Sequence, residues 1–223
     1  MEQLASLAEV YINSPGITQI KLNKSDMAYL KNLYYKITGD NELLFKKRKE
    51  MKLYIIKNKV PFFFSLPHGQ YFFSSGLITR YFKHEDMLIS ALTCEIFKVH
   101  YAIYEKKIIV PVGHMSTERM LSLVRLSLEE KREINKWAFY IMKRAGYDAI
   151  AYLNWLQLQN KNTLDFLFQL GGDTRRISRE EFRLKNFIVN QSITSNDTKR
   201  FERNSSKGFY KLLTSLNKIS YED

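Results

Sequence analysis

The stretch that decides the fold runs from Leu121 to Gly172: LSLVRLSLEEKREINKWAFYIMKRAGYDAIAYLNWLQLQNKNTLDFLFQLGG. Met120–Leu126 is short and apolar and reads as a strand. Ser127 follows at a helix N-cap position with Glu130 three residues on, the S-x-x-E spacing of a capping box. Ile134, Trp137, Ile141 and Ala145, with Ala138 and Met142 beside them, then mark one apolar face at helical period. Gly146 ends that helix. Ala149–Leu156 reads as a second strand, and Thr163–Leu170 as a short helix closed by Gly171 and Gly172. A strand–helix–strand of this length predicts a right-handed crossover between near-parallel strands. The N-terminus of the helix could offer amides to a phosphate. Its first turn carries Leu128, Glu129 and Glu130, and those carboxylates disfavour an anion.

Working outward, residues 1–13 read as a helix with Leu4, Leu7, Ala8 and Tyr11 on one side, and Ser14-Pro15-Gly16 as a turn. Ile17–Leu22 alternates as a strand, and Ser25-Asp26 caps a helix to about Tyr35. Residues 41–59 read as helical and carry seven basic against two acidic side chains, densest at Lys46, Lys47, Arg48 and Lys49. Phe62-Phe63-Phe64 and Tyr71-Phe72-Phe73 flank a turn at Pro67-His68-Gly69 and predict a hairpin. Cys94–Tyr104 and Lys107–Val112 read as two antiparallel strands, and Phe182–Val189 as a last strand. Residues 191–208 read as a polar linker. Phe209, Leu212, Leu213, Leu216 and Ile219 then share one face of a short helix, which docks on its own domain or binds a partner.

The chain has 223 residues, 45% hydrophobic and 14% aromatic, enough for a substantial core. It holds no apolar run of membrane-spanning length, and Met1-Glu2 opens an acidic rather than a signal-like N-terminus. Cys94, the one cysteine, reads as a buried small residue and fits a reducing compartment. The expected location is the host cytoplasm or a virion, with no secretion. The net charge of +12 points to nucleic acid or an acidic partner. No Cys/His metal spacing, P-loop or G-x-S-x-G is present.

Leu126-Ser127 at a helix start, Asn160 (or Asn162) after the second apolar run, and the ending Phe166-Leu167-Phe168-Gln169-Leu170-Gly171-Gly172 resemble the GNAT family of N-acetyltransferases. The resemblance is nearest to the acetyltransferase-like proteins of short-tailed bacteriophages. It implies an α/β (α+β) fold: a GNAT-like central mixed, mostly antiparallel sheet flanked by helices, with an insertion and a C-terminal helical tail. Residues 1–190 would form the domain, with the insertion at about 40–93, and 191–223 the linker and tail helix.

The resemblance also places the cofactor contacts at Leu126, Ser127, Leu128 and Asn160. The family's pyrophosphate turn is glycine-rich, whereas Arg125–Arg132 contains no glycine. The usual acid, a tyrosine, is replaced by Leu167, and no glutamate stands in Met120–Leu126 as the usual base. His114, Glu118 and Tyr152 are the candidate catalytic substitutes. Two expectations result. One is a phage protein with a degenerate cofactor site and no cofactor, a virion or virion-assembly component acting through other phage proteins or DNA, with Lys46, Lys47, Arg48 and Lys49 as the contact surface. The other is an active but unconventional acyl-CoA-dependent N-acyltransferase, using acetyl-CoA to modify DNA or a host protein. A non-specific nucleic-acid binder is a third.

Overall fold

The computed structural model describes residues 1–46, 49–104, 113–191 and 205–221. It is a mixed α/β structure, with one small four-stranded sheet and many helices. The strands are β1 (Gln19–Ile20), β2 (Lys52–Ile56), β3 (Phe63–Leu66) and β4 (Gln70–Ser74), in the order β1-β2-β4-β3. β2 runs parallel to β4, and the two outer pairings are antiparallel.

The sheet separates two cores. Leu53, Ile55, Phe63, Tyr71 and Phe73 face the larger one, while Ile56, Phe62, Phe64, Leu66 and Phe72 face the smaller. With both faces buried, β3 and β4 carry apolar residues on both sides, with Ser65, Gln70 and Ser74 buried among them. That is why they read as continuous aromatic runs. The expected hairpin is β3–β4, turned at Pro67-His68-Gly69 with His68 and Gly69 both at positive φ. Gly69 is required twice over, because a Cβ there would strike the Glu50 carbonyl. The helix expected over 41–59 is instead a turn followed by β2, and β2 is paired on both sides.

Helix α1 (Glu2–Ile12) buries Leu4, Leu7, Ala8 and Tyr11, as expected, and covers the smaller core with α4 (Thr117–Leu123). Helix α2 (Lys24–Gly39) is capped by Asn23, not Ser25: its side-chain oxygen accepts from the Asp26 N–H at 2.8 Å. A π-helical turn (Leu77–Tyr81) leads to α3 (Glu85–His100).

Every residue of α3 from Leu88 to Val99 is buried. A helix buried on all sides has no polar stripe, so its period is flat in the sequence. The strand expected over Cys94–Tyr104 is this helix and its end; its expected partner, Lys107–Val112, lies outside the described residues. Helix α5 (Leu128–Arg144) has the expected capping box, with Ile134, Ala138, Ile141 and Met142 buried, while Trp137 sits at the edge, 39% exposed.

The two strands expected to sandwich α5 are helices. Met120–Leu126 belongs to α4 and the turn after it, and Ala149–Leu156 lies in α6 (Ile150–Lys161). Ala151, Tyr152, Trp155, Leu156 and Gln159 are the buried side chains of α6, spaced as helical neighbours. The expected crossover is therefore absent here, and the parallel pair is β2 with β4. The short helix expected over 163–170 is a turn and then α7 (Leu167–Leu170), closed by Gly171 in the left-handed conformation. The expected final strand 182–189 is part of α8 (Thr174–Asn190), which buries Ile177, Glu180, Leu184 and Ile188 and leaves Phe182 and Val189 exposed.

Helix α9 (Lys207–Tyr221) docks on its own chain, with Phe209, Leu212 and Leu216 inside the larger core. Ser205 and Ser206, expected in the linker, anchor it: the Ser206 hydroxyl and amide both donate to Glu85, at 2.7 and 2.9 Å. Residues 192–204 of the expected linker lie outside the described residues.

Candidate functional site

Helices α3, α5, α6 and α8 pack around a polar cavity of about 50 Å³, closed by β3, α7 and the α4–α5 turn. The volume holds a few waters or one small group. Four cationic side chains line it (Lys98, Arg125, Lys131 and Arg176) with two carboxylates, Glu95 and Glu180.

Glu95 and Lys98 come from the C-terminal half of α3. They are buried together, with Nζ 3.2 Å from Oε2, and the same Oε2 accepts from the Ser65 hydroxyl at 2.5 Å. Burial pulls the lysine below its ordinary pKa while Glu95 pushes it back up. Burial, and then Glu95, pushes the Cys94 thiol up to about 12, so it stays protonated.

A second network lies on the other side. Tyr152 donates to Asn135 Oδ1 at 2.8 Å, Asn135 donates to Glu180 at 3.3 Å, and Arg176 stands 3.7 Å from Glu180. Arg176 also donates to the Leu126 carbonyl. Burial, and then the neighbouring Cys94 and Glu180, holds the Tyr152 phenol far above its usual pKa, so it keeps its proton.

Of the residues expected from the sequence, Tyr152 and Leu126 meet at this cavity. His114 and Glu118 are exposed, in the segment before α4 and in its first turn, and neither lines the cavity. Ser127 is the N-cap of α5: its hydroxyl accepts from the Glu130 N–H at 3.2 Å, and its own N–H donates to Glu130 Oε2 at 2.7 Å. Leu128 opens α5. Asn160, on the last turn of α6, donates to Glu181 at 2.7 Å.

Lys46 is exposed, and Lys47 and Arg48 lie outside the described residues. Lys49 turns inward instead and donates to the Val99 carbonyl at 2.6 Å, where a cation meets the C-terminal end of α3. Glu95, Lys98, Arg125, Asn135, Arg176 and Glu180 were missed as site residues. The signal for the first two was present: a Glu and a Lys three apart inside the apolar run Leu88–Val99.

A second feature lies on the surface. The rings of Tyr101, Phe97, Trp137, Tyr140 and Phe187 form a row, with successive centroids 4.4, 5.8, 6.2 and 5.5 Å apart. Tyr101, Trp137 and Tyr140 are 47%, 39% and 38% exposed. Lys136 stands 5.9 Å over the Phe187 ring while also paired with Glu133 at 2.8 Å. At the other end the Tyr101 hydroxyl donates to the Leu44 carbonyl, two residues before Lys46.

Among the described residues no group of three or more His, Cys, Asp and Glu side chains is arranged to hold a metal ion, and no helix is long and apolar enough to cross a membrane. No protein-family model matches the chain, and no curated protein matches it.

Proposed function

We propose that this chain works by contact, through protein or DNA, as a component of a short-tailed phage particle or of its assembly. The phage setting, like the GNAT-like reading of the fold, rests on the resemblance of the Leu121–Gly172 stretch. The observation that carries the contact role is the aromatic row. Trp137 and Tyr140, half-exposed, touch each other, and Tyr101, also half-exposed, joins them through the buried ring of Phe97, on a chain with net charge +12. Exposed apolar groups gathered in one place mark a docking surface. Aromatic faces on a basic protein fit the stacked bases and phosphates of a single nucleic-acid strand, which makes DNA the favoured partner of the two.

The turn between Arg125 and Arg132 supports this reading. Two of the amides at this helix start, those of Ser127 and Glu130, are already used in the capping box, and Glu129 and Glu130 stand in the first turn. A pyrophosphate would have to displace the box and meet two carboxylates.

The second reading, an unconventional acyl-CoA-dependent N-acyltransferase, draws on the meeting of Tyr152 and Leu126 at one polar cavity, which at about 50 Å³ would take only the reacting end of the cofactor. Calorimetry with acetyl-CoA on the full chain separates the two. The contact role predicts no heat of binding at millimolar cofactor, together with capture of single-stranded oligonucleotide that weakens with salt. Micromolar acetyl-CoA binding with transfer to DNA or protein would overturn it.

A further inference from the structure

The cavity holds more positive charge than its own carboxylates neutralise. Lys98 is paired with Glu95 and Arg176 with Glu180. Arg125 and Lys131 are left, approaching from the α4–α5 turn and the first turn of α5. Among the described residues neither makes an ion pair, and the Arg125 Nε is buried with no hydrogen-bond partner.

The Arg125 guanidinium packs against Gly171, where φ is 68° and a Cβ would meet the guanidinium in its present position. The left-handed backbone favours glycine at 171, and the missing Cβ leaves the guanidinium room. Lys131 lies near enough to Lys98 to make that buried lysine harder to protonate. Gln169 adds a further donor. Its side-chain oxygen is taken by the Phe63 N–H at 3.0 Å, which leaves its NH2 for another acceptor at the cavity wall.

A guanidinium, an ammonium and an amide around about 50 Å³ of polar space make a place for one small oxyanion. We propose that the cavity binds a phosphate- or carboxylate-sized anion between Arg125 and Lys131. It is too small for a nucleotide or for acyl-CoA, so the ligand is the free ion. This site is separate from the aromatic surface and does not depend on the contact role.

The test is thermal unfolding and calorimetry of the full chain with inorganic phosphate and, in parallel, acetate, against sodium chloride at matched ionic strength. A saturable rise in melting temperature with one oxyanion and not with chloride is expected. Phosphate alone would point to a tetrahedral ligand, and acetate alone to a carboxylate. R125Q should abolish the shift and K131Q should weaken binding by about tenfold, while K21Q, at an exposed lysine away from the cavity, leaves it unchanged. K131Q carries the test if R125Q does not fold, because Lys131 is partly exposed. Equal responses to both oxyanions and to chloride, or full binding in K131Q, would overturn the proposal.

Discussion

Lys98 and Glu95 are one turn apart on α3, 3.2 Å apart in space and each only 5% exposed. A charge pair in the buried C-terminal half of a helix is sensitive to the loss of one partner. Removing a single partner leaves the other charge buried and uncompensated, at a cost of about 3–5 kcal/mol, whereas replacing both with apolar residues costs much less. Urea unfolding should therefore rank E95A as more destabilised than the double variant E95L/K98M. The reverse order would show that the pair itself, not its isolation, carries the stability.

His100 ends α3 beside Lys49, Tyr34 and Phe45. Burial, and then the Lys49 charge, lowers its pKa to about 4 from an ordinary 6.5. The unfolded chain then binds a proton in the window between those values while the native chain does not. The stability this group contributes is full above pH 6.5 and is lost as pH falls toward 4. H100Q should flatten the acid side of the stability–pH curve in that window, as denaturant unfolding at stepped pH would record. A parallel acid limb in wild type and variant would rule this origin out.

Gly171 and Gly172 both have positive φ, but only Gly171 has a neighbour where a Cβ would go. G172A should cost about 1–2 kcal/mol for the left-handed backbone alone. G171A should cost clearly more, because Arg125 must also move. Comparable melting temperatures for the two variants would mean that the arginine is not held there.

The tail helix is part of the fold. Phe209, Leu212 and Leu216 are fully buried, and Glu85 receives the hydroxyl and amide of Ser206. L212A should destabilise by about 2–5 kcal/mol. A chain ended at Asn190 should melt markedly lower, with the larger core opened. A truncated chain as stable as the full one would make the tail dispensable to the fold.

How much of this was legible depended on where each element sits. α1, the capping box of α5, the β3–β4 hairpin and the face of α9 were readable, because each carries a local signal: a one-sided stripe, a cap pair or a turn. The end of α3 from Cys94, and α6 from its start to Leu156, read as strands because the helical signal depends on one side being wet. α3 is buried throughout, and in the Ala149–Leu156 run of α6 apolar residues outnumber polar ones on every side. A short apolar run of that kind does not separate strand from helix by period. The cavity was legible only in part. Tyr152 and Leu126 came from the sequence, whereas Arg125, Arg176 and Glu180 reach it from turns and helices whose packing no spacing reveals.

The central claim, that the chain works by contact at its aromatic row, is tested most directly by titrating the full chain with a labelled single-stranded oligonucleotide over a range of potassium chloride. The account predicts saturable binding whose affinity falls linearly with salt on logarithmic axes. W137A/Y140A should weaken it about ten- to a hundredfold, with binding measured well below the variant's own melting temperature, because the two rings also pack against Phe97 and Phe187. Absence of binding at low salt, or binding that ignores the loss of Trp137 and Tyr140, would contradict it.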